Sequence, residues 1–509
     1  MKHIFDGEVY KIYDRASEIL RDSPFQEQLR KLYMAVNIID ALTTKPADML
    51  VGEGLDYESG LDDESVEQQA LNRIVERNNL DKTIHEMLIG AGIKGDVWLK
   101  TYHAPRYDLD ALNEEGLDVP EELKRPEAII EAVPADTVFP ELAKASRKKF
   151  KAVNICSIEW KEEKRPKLET YWVKEDIKEI PYLNVERHFP GWIKYEKYKM
   201  VEGGVDNTFG APVPIFFVDE QVETDWEEDL VETGVPDILV KHVPYKSVDD
   251  DWKGVGNIEK LDSILAAIND RLVQIDYILW KHADPTAYGP DIEQKEKEIS
   301  WGGKYIPVEK EDHEPGYMTW DGRLDMAFKE LDYLLSIVYQ MSETPQWLFG
   351  TTITQDAGGT GTSHTDARAI QMRLMPILSK VNRIKIYADG AVRDVLYMAQ
   401  KLENFAYEGV EDFTSYTPIR PKVHWHDPLP KDPKEEAEVM AIRTGEKETL
   451  DVHSAVKRLD NVNDEQAQEI IKRIEEDRER EEAEDFVDGS VFNEPLDKEE
   501  EEDEEEGEG

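Results

Sequence analysis

The feature that most constrains the fold is an apolar stripe that runs through residues 367–402 at alternating spacings of three and four. The stripe consists of Ala367, Ile370, Leu374, Ile377, Val381, Ile384, Ala388, Ala391, Val395, Met398 and Leu402. This 3.5-residue period predicts one very long helix whose narrow seam packs against other helices. A helix over residues 365–404 would be on the order of 60 Å long, so we expect an elongated molecule. Pro376 inside the stripe predicts a bend, because proline removes a backbone hydrogen bond and clashes with the preceding turn.

Two shorter segments upstream have the same spacing and predict helices over residues 256–282 and 323–342. Their stripes are Ile258, Leu261, Leu265, Ile268, Leu272, Ile275 and Leu279, then Leu324, Phe328, Leu331, Leu335 and Val338. Residues 283–322 between them are rich in Pro, Gly and charge, with short strand-like runs at 304–308 and 317–320. The predicted order is helix, small insert, helix, loop and very long helix.

The remaining segments predict a mixture of helices and strands. Residues 1–95 are helical in pattern, with an interruption near Asn78 and Asn79. Two-fold alternation of apolar and polar residues predicts antiparallel strands with one solvent-exposed face. Near the carboxyl end, the pattern predicts a short strand followed by three modest helices. The predicted strands are 97–102, 152–160, 168–173, 192–198 and 420–426, and the last helices are 433–444, 450–459 and 465–482. The fold class is α+β, mainly helical.

The charge balance is strongly acidic, with 62 Lys and Arg against 111 Asp and Glu and a net charge of −49. Residues 475–509 hold 20 acids and 3 bases, and the acidic run at 499–506 predicts a disordered tail because it has no apolar surface to bury. Affinity for duplex DNA comes from cations that neutralise phosphates, so tight DNA binding is not expected. A single cysteine, Cys156, excludes an intrachain disulfide framework. With neither a signal-peptide pattern nor a 20-residue apolar run, we expect a soluble protein made in the cytosol.

The glycine-rich loop at residues 350–364 does not have the pattern of a phosphate-binding loop. Such a loop needs a preceding strand and a Lys-Ser or Lys-Thr pair after its last glycine, whereas Ser363 and His364 follow here after Thr362. A flexible polar loop, with Ser363 or Thr365 as helix cap, fits better. His424 and His426 would lie on one face of a strand as a candidate metal pair, although surface histidines are the default interpretation. We assign no catalytic residue, metal site or cofactor and expect no enzyme activity.

The order of these parts, from about residue 5 to 480, resembles the portal proteins of tailed bacteriophages. The most specific segment is the glycine-containing turn at 252–261, which leads through 268–272 to the Ala-Asp-Pro sequence at 283–285. Residues 344–404 resemble the tunnel loop and long kinked helix of that family. Residues 445–450, 460–464 and 469–476 resemble its crown.

The resemblance implies an elongated portal-type subunit in a dodecameric ring at one capsid vertex of the virion, assembled in the host cytoplasm. Double-stranded DNA would pass through the ring with weak, non-specific contacts during packaging and ejection. Implied partners are the terminase large subunit, the head-completion adaptor, the scaffold and the major capsid protein, with no membrane. The implied map is an α/β wing at 1–255 with a return strand at 405–429, stem helices at 256–282 and 323–342, a clip at 283–322, a tunnel loop at 343–364, a long kinked helix at 365–404, a helical crown at 430–482 and an acidic tail at 483–509.

Site residues follow from this map. The loop residues expected to face DNA are Thr351, Thr352, Thr354, Gln355, Gly358, Gly359, Thr360, Gly361 and Thr362. The stem residues expected at a subunit interface are Leu261, Leu265, Ile268, Leu272, Ile275, Leu331 and Leu335. Two alternatives remain: a metal-dependent phage nuclease that uses His424 and His426, and a non-portal acidic capsid or scaffold protein.

Overall fold

The chain divides into two compact units, Met1–Pro428 and Leu429–Gly509. The structure is a computed structural model. It describes residues 37–491 except 108, 110–111, 113–115, 117–119, 121–123, 167–174, 207–212, 227, 250, 283–286, 291–304, 309–315, 318–323, 350–366, 411–412, 427–432, 446–448, 461 and 463.

The first unit mixes helices and strands. Its described helices are α1 Ile38–Val51, α2 Val66–Arg77, α3 Leu80–Lys94, α4 Asp262–His282, α5 Leu324–Met341 and α6 Ala367–Ala406. Its described strands are β1 Leu55–Glu58, β2 Asp96–Ala104, β3 Glu127–Pro134, β4 Val138–Leu142, β5 Phe150–Pro166, β6 Glu175–Phe189, β7 Trp192–Asp206, β8 Val213–Val222, β9 Leu230–Glu232, β10 Val240–Pro244, β11 Ala287–Pro290, β12 Tyr305–Val308, β13 Gly316–Tyr317 and β14 Lys422–Trp425. The predicted α+β class is confirmed.

The long helix α6 forms the centre of the first unit. Every stripe residue from Leu374 to Leu402 is buried. The helix packs against the antiparallel sheet β10-β2-β3 and against α1 and α2. The predicted packing of the stripe against other helices is confirmed for α1 and α2. Its packing against a sheet was not predicted, although a narrow apolar stripe packs equally well on the apolar face of a sheet.

The two predicted stem helices do pack against each other. Leu261, Leu265, Ile268 and Val338 join one core cluster with residues of α1 and α3, among them Leu42. Between α4 and α5, the insert contains its own small sheet in the order β12-β11-β13, with β11 parallel to β12 and antiparallel to β13. Strand β11 was not predicted.

An antiparallel sheet in the order β4-β5-β6-β7-β8, with β9 paired to β7, occupies residues 138–232. The predicted strands at 152–160 and 192–198 are confirmed as parts of β5 and β7. The prediction at 168–173 falls outside the described residues, and β6, which pairs with both β5 and β7, was missed. Its alternation is obscured by mixed charges on both faces.

The expectation that residues 1–95 are all helical was wrong at β1, which pairs with β14 near the other end of the unit. The break between α2 and α3 is confirmed, and there Asn79 adopts a left-handed φ of 43°. Asparagine tolerates this conformation better than most residues, which explains the interruption.

The second unit contains three described helices, α7 Pro433–Thr444, α8 Val452–Asp460 and α9 Asp464–Val491. The last one continues nine residues beyond the predicted boundary at 482, so residues 483–491 are helical where a disordered tail was expected. Glu, Arg and Ala favour helix, and no proline lies between Asp464 and Pro495. Within the described residues, no helix combines the length and apolar content needed to cross a lipid bilayer.

Candidate functional site

The candidate site lies where α5 ends and the chain turns toward the predicted tunnel loop. We name residues 342–344 the exit turn. Helix α5 stops here because Pro345 disfavours helical geometry in the residue before it. Glu343 adopts a left-handed φ of 57°, and the Thr344 amide donates to the Tyr339 carbonyl over 3.1 Å. This reversed turn closes the helix in the manner of a Schellman ending, although glycine usually occupies the left-handed position.

Arg383 on α6 holds the strained residue of the exit turn. Its guanidinium donates to both carboxylate oxygens of Glu343 over 2.9–3.1 Å. A planar guanidinium and a carboxylate match in this two-pronged geometry, which is stronger than a single hydrogen bond. The ion pair thereby offsets the cost of a non-glycine residue in the left-handed region.

Lys380, one helical turn before Arg383, reaches the same turn from inside the protein and is only 1% exposed. Its Nζ donates to the Ser342 carbonyl at 2.9 Å. Three further acceptors lie at 3.4–3.5 Å: Asn257 Oδ1, the Leu42 carbonyl and Thr344 Oγ1. One amino group therefore connects α6 with α1, the segment before α4 and the exit turn.

Burial strongly lowers the pKa of this amine. Removal from water disfavours the charged form and lowers the pKa of Lys380 to about 7. The Glu343 carboxylate acts in the opposite direction and the Arg383 charge in the same direction. One sequence signal for a buried lysine was missed. Lys380 lies between Ile377 and Ile384 on the apolar side of a helix.

The glycine-containing turn before α4 is positioned by direct contact between backbones. The Asn257 amide donates to the Gly92 carbonyl over 2.9 Å, and Asp96 Oδ1 accepts from the Gly254 amide over 2.7 Å. A Cβ added to Gly254 would lie 2.2 Å from the carbonyl oxygen of Gly95, so glycine is required by space. This turn fixes where α4 begins.

The predicted stem residues are mostly internal to the single chain. Leu261, Leu265, Ile268 and Ile275 are at most 5% exposed. Leu272, Leu331 and Leu335 are partly buried and pack against the cluster that contains Leu265. Hence Leu261, Leu265, Ile268 and Ile275 have little surface left for a neighbouring subunit, and their role at an interface stays a prediction.

Polar contacts also join the stem pair. Arg271 on α4 donates to Glu330 on α5 over 2.6 Å. Asn269 is buried and donates to the Leu265 carbonyl over 2.9 Å, while its Oδ1 has no hydrogen-bond partner among the described residues. A buried amide in a helix pair is a typical device for fixing register.

The predicted tunnel-loop residues, Thr351, Thr352, Thr354, Gln355, Gly358, Gly359, Thr360, Gly361 and Thr362, lie outside the described residues. Pro376 lies within α6, which continues through it from Ala367 to Ala406. Pro376 itself is exposed. The bend at this position stays a prediction.

Both histidines of the candidate metal pair contact carboxylates of β1, the strand that pairs with β14. His424 Nε2 lies 3.0 Å from Glu58 Oε2, and His426 Nε2 lies 3.4 Å from Asp56 Oδ2. In the part of the chain that the structure describes, no group of three or more His, Cys, Asp or Glu side chains is placed to hold a metal ion. Cys156 is half-buried in β5, and burial raises the pKa of its thiol.

Residues 7–179 match the family of phage portal proteins described as SPP1 Gp6-like. The resemblance to tailed-phage portal proteins is confirmed. The matched segment covers about a third of the 509 residues and includes α1–α3 and the first strands of the large sheet. No curated protein matches the chain. The family match supports a phage portal role for the protein.

Proposed function

We propose that the protein forms a dodecameric ring at one capsid vertex, through which genome DNA is packaged and ejected. The family match over residues 7–179 is the observation that carries this proposal. Beyond the matched segment, the order of α4, a small insert with its own sheet, α5 and the 40-residue helix α6 agrees with the portal plan. The protein acts as a structural channel, with no chemical step of its own.

The subunits of the proposed ring meet through the faces that the single chain leaves exposed. Large apolar side chains are exposed on the stem pair and on the first half of α6: Leu279, Met326, Phe328, Tyr333, Met372, Met375 and Ile386. The buried stem residues, such as Leu265, keep α4 and α5 rigid behind this surface. Burying exposed apolar area between copies of one chain is the usual driving force for closed rings.

The channel contacts DNA weakly in this proposal. Residues 350–364 contain no Lys or Arg, and the chain carries a net charge of −49. Negative walls repel phosphates, while threonine and glutamine side chains form short-lived hydrogen bonds with phosphate or water. Thr354 and Gln355 are central in this loop. Such a lining lets a duplex slide without being held.

The insert between the stem helices serves as the docking site for other packaging components. Residues 283–322 would contact the terminase large subunit during packaging and the head-completion adaptor afterwards. Scaffold and major capsid protein would surround the ring at the vertex. The described part of this insert, β11 with β12 and β13, supplies a small rigid support for such contacts.

Negative-stain images of the purified full-length protein test the ring. We expect closed rings with a central hole, and light scattering should give a mass many times 58.7 kDa. A monodisperse monomer across salt and protein concentration would contradict the ring. Nuclease activity that is lost on chelation would instead favour the metal-dependent alternative.

Loop variants test translocation separately from assembly. Gly358→Pro with Gly359→Pro removes backbone freedom, and Thr354→Lys with Gln355→Lys adds charges that hold phosphate. Both variants should form rings and package DNA more slowly. Matched controls place two lysines on exposed positions elsewhere, at Gln69 and Gln221. Normal packaging by both loop variants would exclude a translocation role for the loop.

A further inference from the structure

The exit turn combines a strained backbone with the buried amine of Lys380. Glu343 has a left-handed φ of 57° and is held by Arg383. Beneath it, Ser342 and Thr344 are each 1% exposed and supply two of the four oxygens around Lys380 Nζ. Displacing these two residues would therefore uncover the amine.

The acceptors around Lys380 do not compensate an ammonium fully. Among the described residues, all four are uncharged oxygens, and three of them lie at 3.4–3.5 Å. The Glu343 carboxylate already binds Arg383 through both oxygens. A buried charge without a direct counter-charge is costly, so the closed turn favours the neutral amine.

We propose that the exit turn is a two-state element whose opening is coupled to the uptake of one proton by Lys380. In the closed state, Ser342 and Thr344 cover a largely neutral amine. In the open state, the amine reaches water and becomes an ammonium. The turn thus closes more firmly as pH rises above about 7. This pH-dependent opening rests on Lys380 and the exit turn alone and does not depend on the proposed channel function.

The charged and titratable groups around the amine support this direction of the pH dependence. Burial is the largest influence on the pKa of Lys380 and lowers it; on the exit turn the neighbouring charge is Glu343, which raises the pKa, and on α6 it is Arg383, which lowers it. Between β10 and α4, Tyr245 is buried beside Arg383 and Glu343, and burial raises the pKa of its hydroxyl. Lys246 also faces this pair, and repulsion from Lys260 lowers its pKa. From α1 the Leu42 carbonyl faces the amine over 3.5 Å.

Linkage gives the direction and size of the effect. The pKa of Lys380 is about 7 in the closed state and about 10.4 in water. Between these values the open state binds more protons, so the opening constant falls about tenfold for each unit of pH increase. Below about pH 7 both states are protonated, and the dependence disappears.

Amide hydrogen exchange on the full-length chain tests the proposal. The amides of Ser342, Glu343 and Thr344 are hydrogen-bonded in the closed turn and exchange after opening. Intrinsic exchange accelerates about tenfold per pH unit, and the falling opening constant should cancel this acceleration. Between pH 7.5 and 9.5, we expect a nearly constant exchange rate for a peptide covering 342–344.

Two variants remove the titration of Lys380, one by making the side chain permanently neutral and the other by keeping it permanently charged. Lys380→Met is neutral and Lys380→Arg stays charged over the whole range. In whichever variant folds, exchange of the exit turn should accelerate about tenfold per pH unit, because only the intrinsic rate then depends on pH. If exchange in the parent chain also accelerates tenfold per unit at the exit turn, the proposal is overturned.

Discussion

Close approach between two backbones explains why glycine occupies residues 95 and 254. Gly95 ends α3 with a left-handed φ of 90°, and its carbonyl accepts from the Tyr245 amide over 2.9 Å. Gly254 lies directly against it, at the start of the segment that leads to α4. A sequence shows that such glycines exist, but their shared contact is a property of the folded chain alone.

Gly254→Ala should therefore lower stability, by about 1–3 kcal/mol, because the new Cβ must displace backbone atoms. The matched control is Gly390→Ala in α6, where a Cβ meets nothing within 4 Å. That change should raise stability by about 0.5–1 kcal/mol through helix propensity. Thermal unfolding of both variants gives the comparison, and equal melting temperatures would contradict the close contact.

The charged side chains on β6 give a second prediction at the residue scale. Burial raises the pKa of Glu186, but its contacts with His188 and with Lys100 at 2.7 Å outweigh burial and lower the pKa to about 2. A lowered carboxyl pKa stabilises the fold above the unfolded value near 4.5, and this contribution is lost as pH falls toward 2.

Glu186→Gln removes that contribution, which amounts to at most about 3 kcal/mol at neutral pH. The melting temperature of the variant should be below that of the parent chain at pH 7, and the difference should shrink between pH 5 and pH 3. Glu202→Gln on the exposed end of β7 is the control. A difference independent of pH would show that Glu186 acts by packing rather than by charge.

At the scale of elements, apolar spacing predicted helices well. Helix α5 runs over Leu324–Met341 against a predicted 323–342, since an apolar stripe and the proline that follows it, Pro345, are local signals. Spacing did not reveal everything that each stripe packs against: α6 was assigned helix partners, which include α1 and α2, but its sheet partner was missed. Pairing of β1 with β14 and the contact of Lys380 with Leu42 were likewise missed, because they join residues hundreds of positions apart.

The apolar stripe of α4 contains one buried and one exposed leucine, which can be compared to test which stripe residues pack inside the chain. Leu265 is 3% exposed, while Leu279, farther along the same stripe, is 47% exposed. Leu265→Ala should cost about 2–5 kcal/mol of folding stability, because it leaves a cavity in the core. Leu279→Ala should change the melting temperature little and instead weaken association between subunits, measured by light scattering. Equal losses of folding stability would contradict the assignment of Leu279 to an exposed face.

At the scale of the whole molecule, charge is distributed unevenly between the two units. Residues 429–509 contain 11 Lys or Arg and 31 Asp or Glu, a net charge of −20 in 81 residues. The first 428 residues therefore carry −29 of the total of −49. Like charges at this density repel one another and favour solubility at some cost in compactness. The larger unit is where the extensive apolar core of the chain lies.

Truncation after Pro428 tests whether the larger unit folds without this acidic segment. The chain clusters into Met1–Pro428 and Leu429–Gly509, and a compact unit with its own core can fold alone. The shortened chain should keep a cooperative unfolding transition and the circular dichroism of a mixed helical and stranded protein. Its melting temperature should also depend less on salt, because removing 20 net negative charges reduces the repulsion that salt screens. Truncation after Val491, which keeps all of α9, is the control. An aggregated or unfolded product after Pro428, beside a folded product after Val491, would show that the larger unit requires the helices of the second.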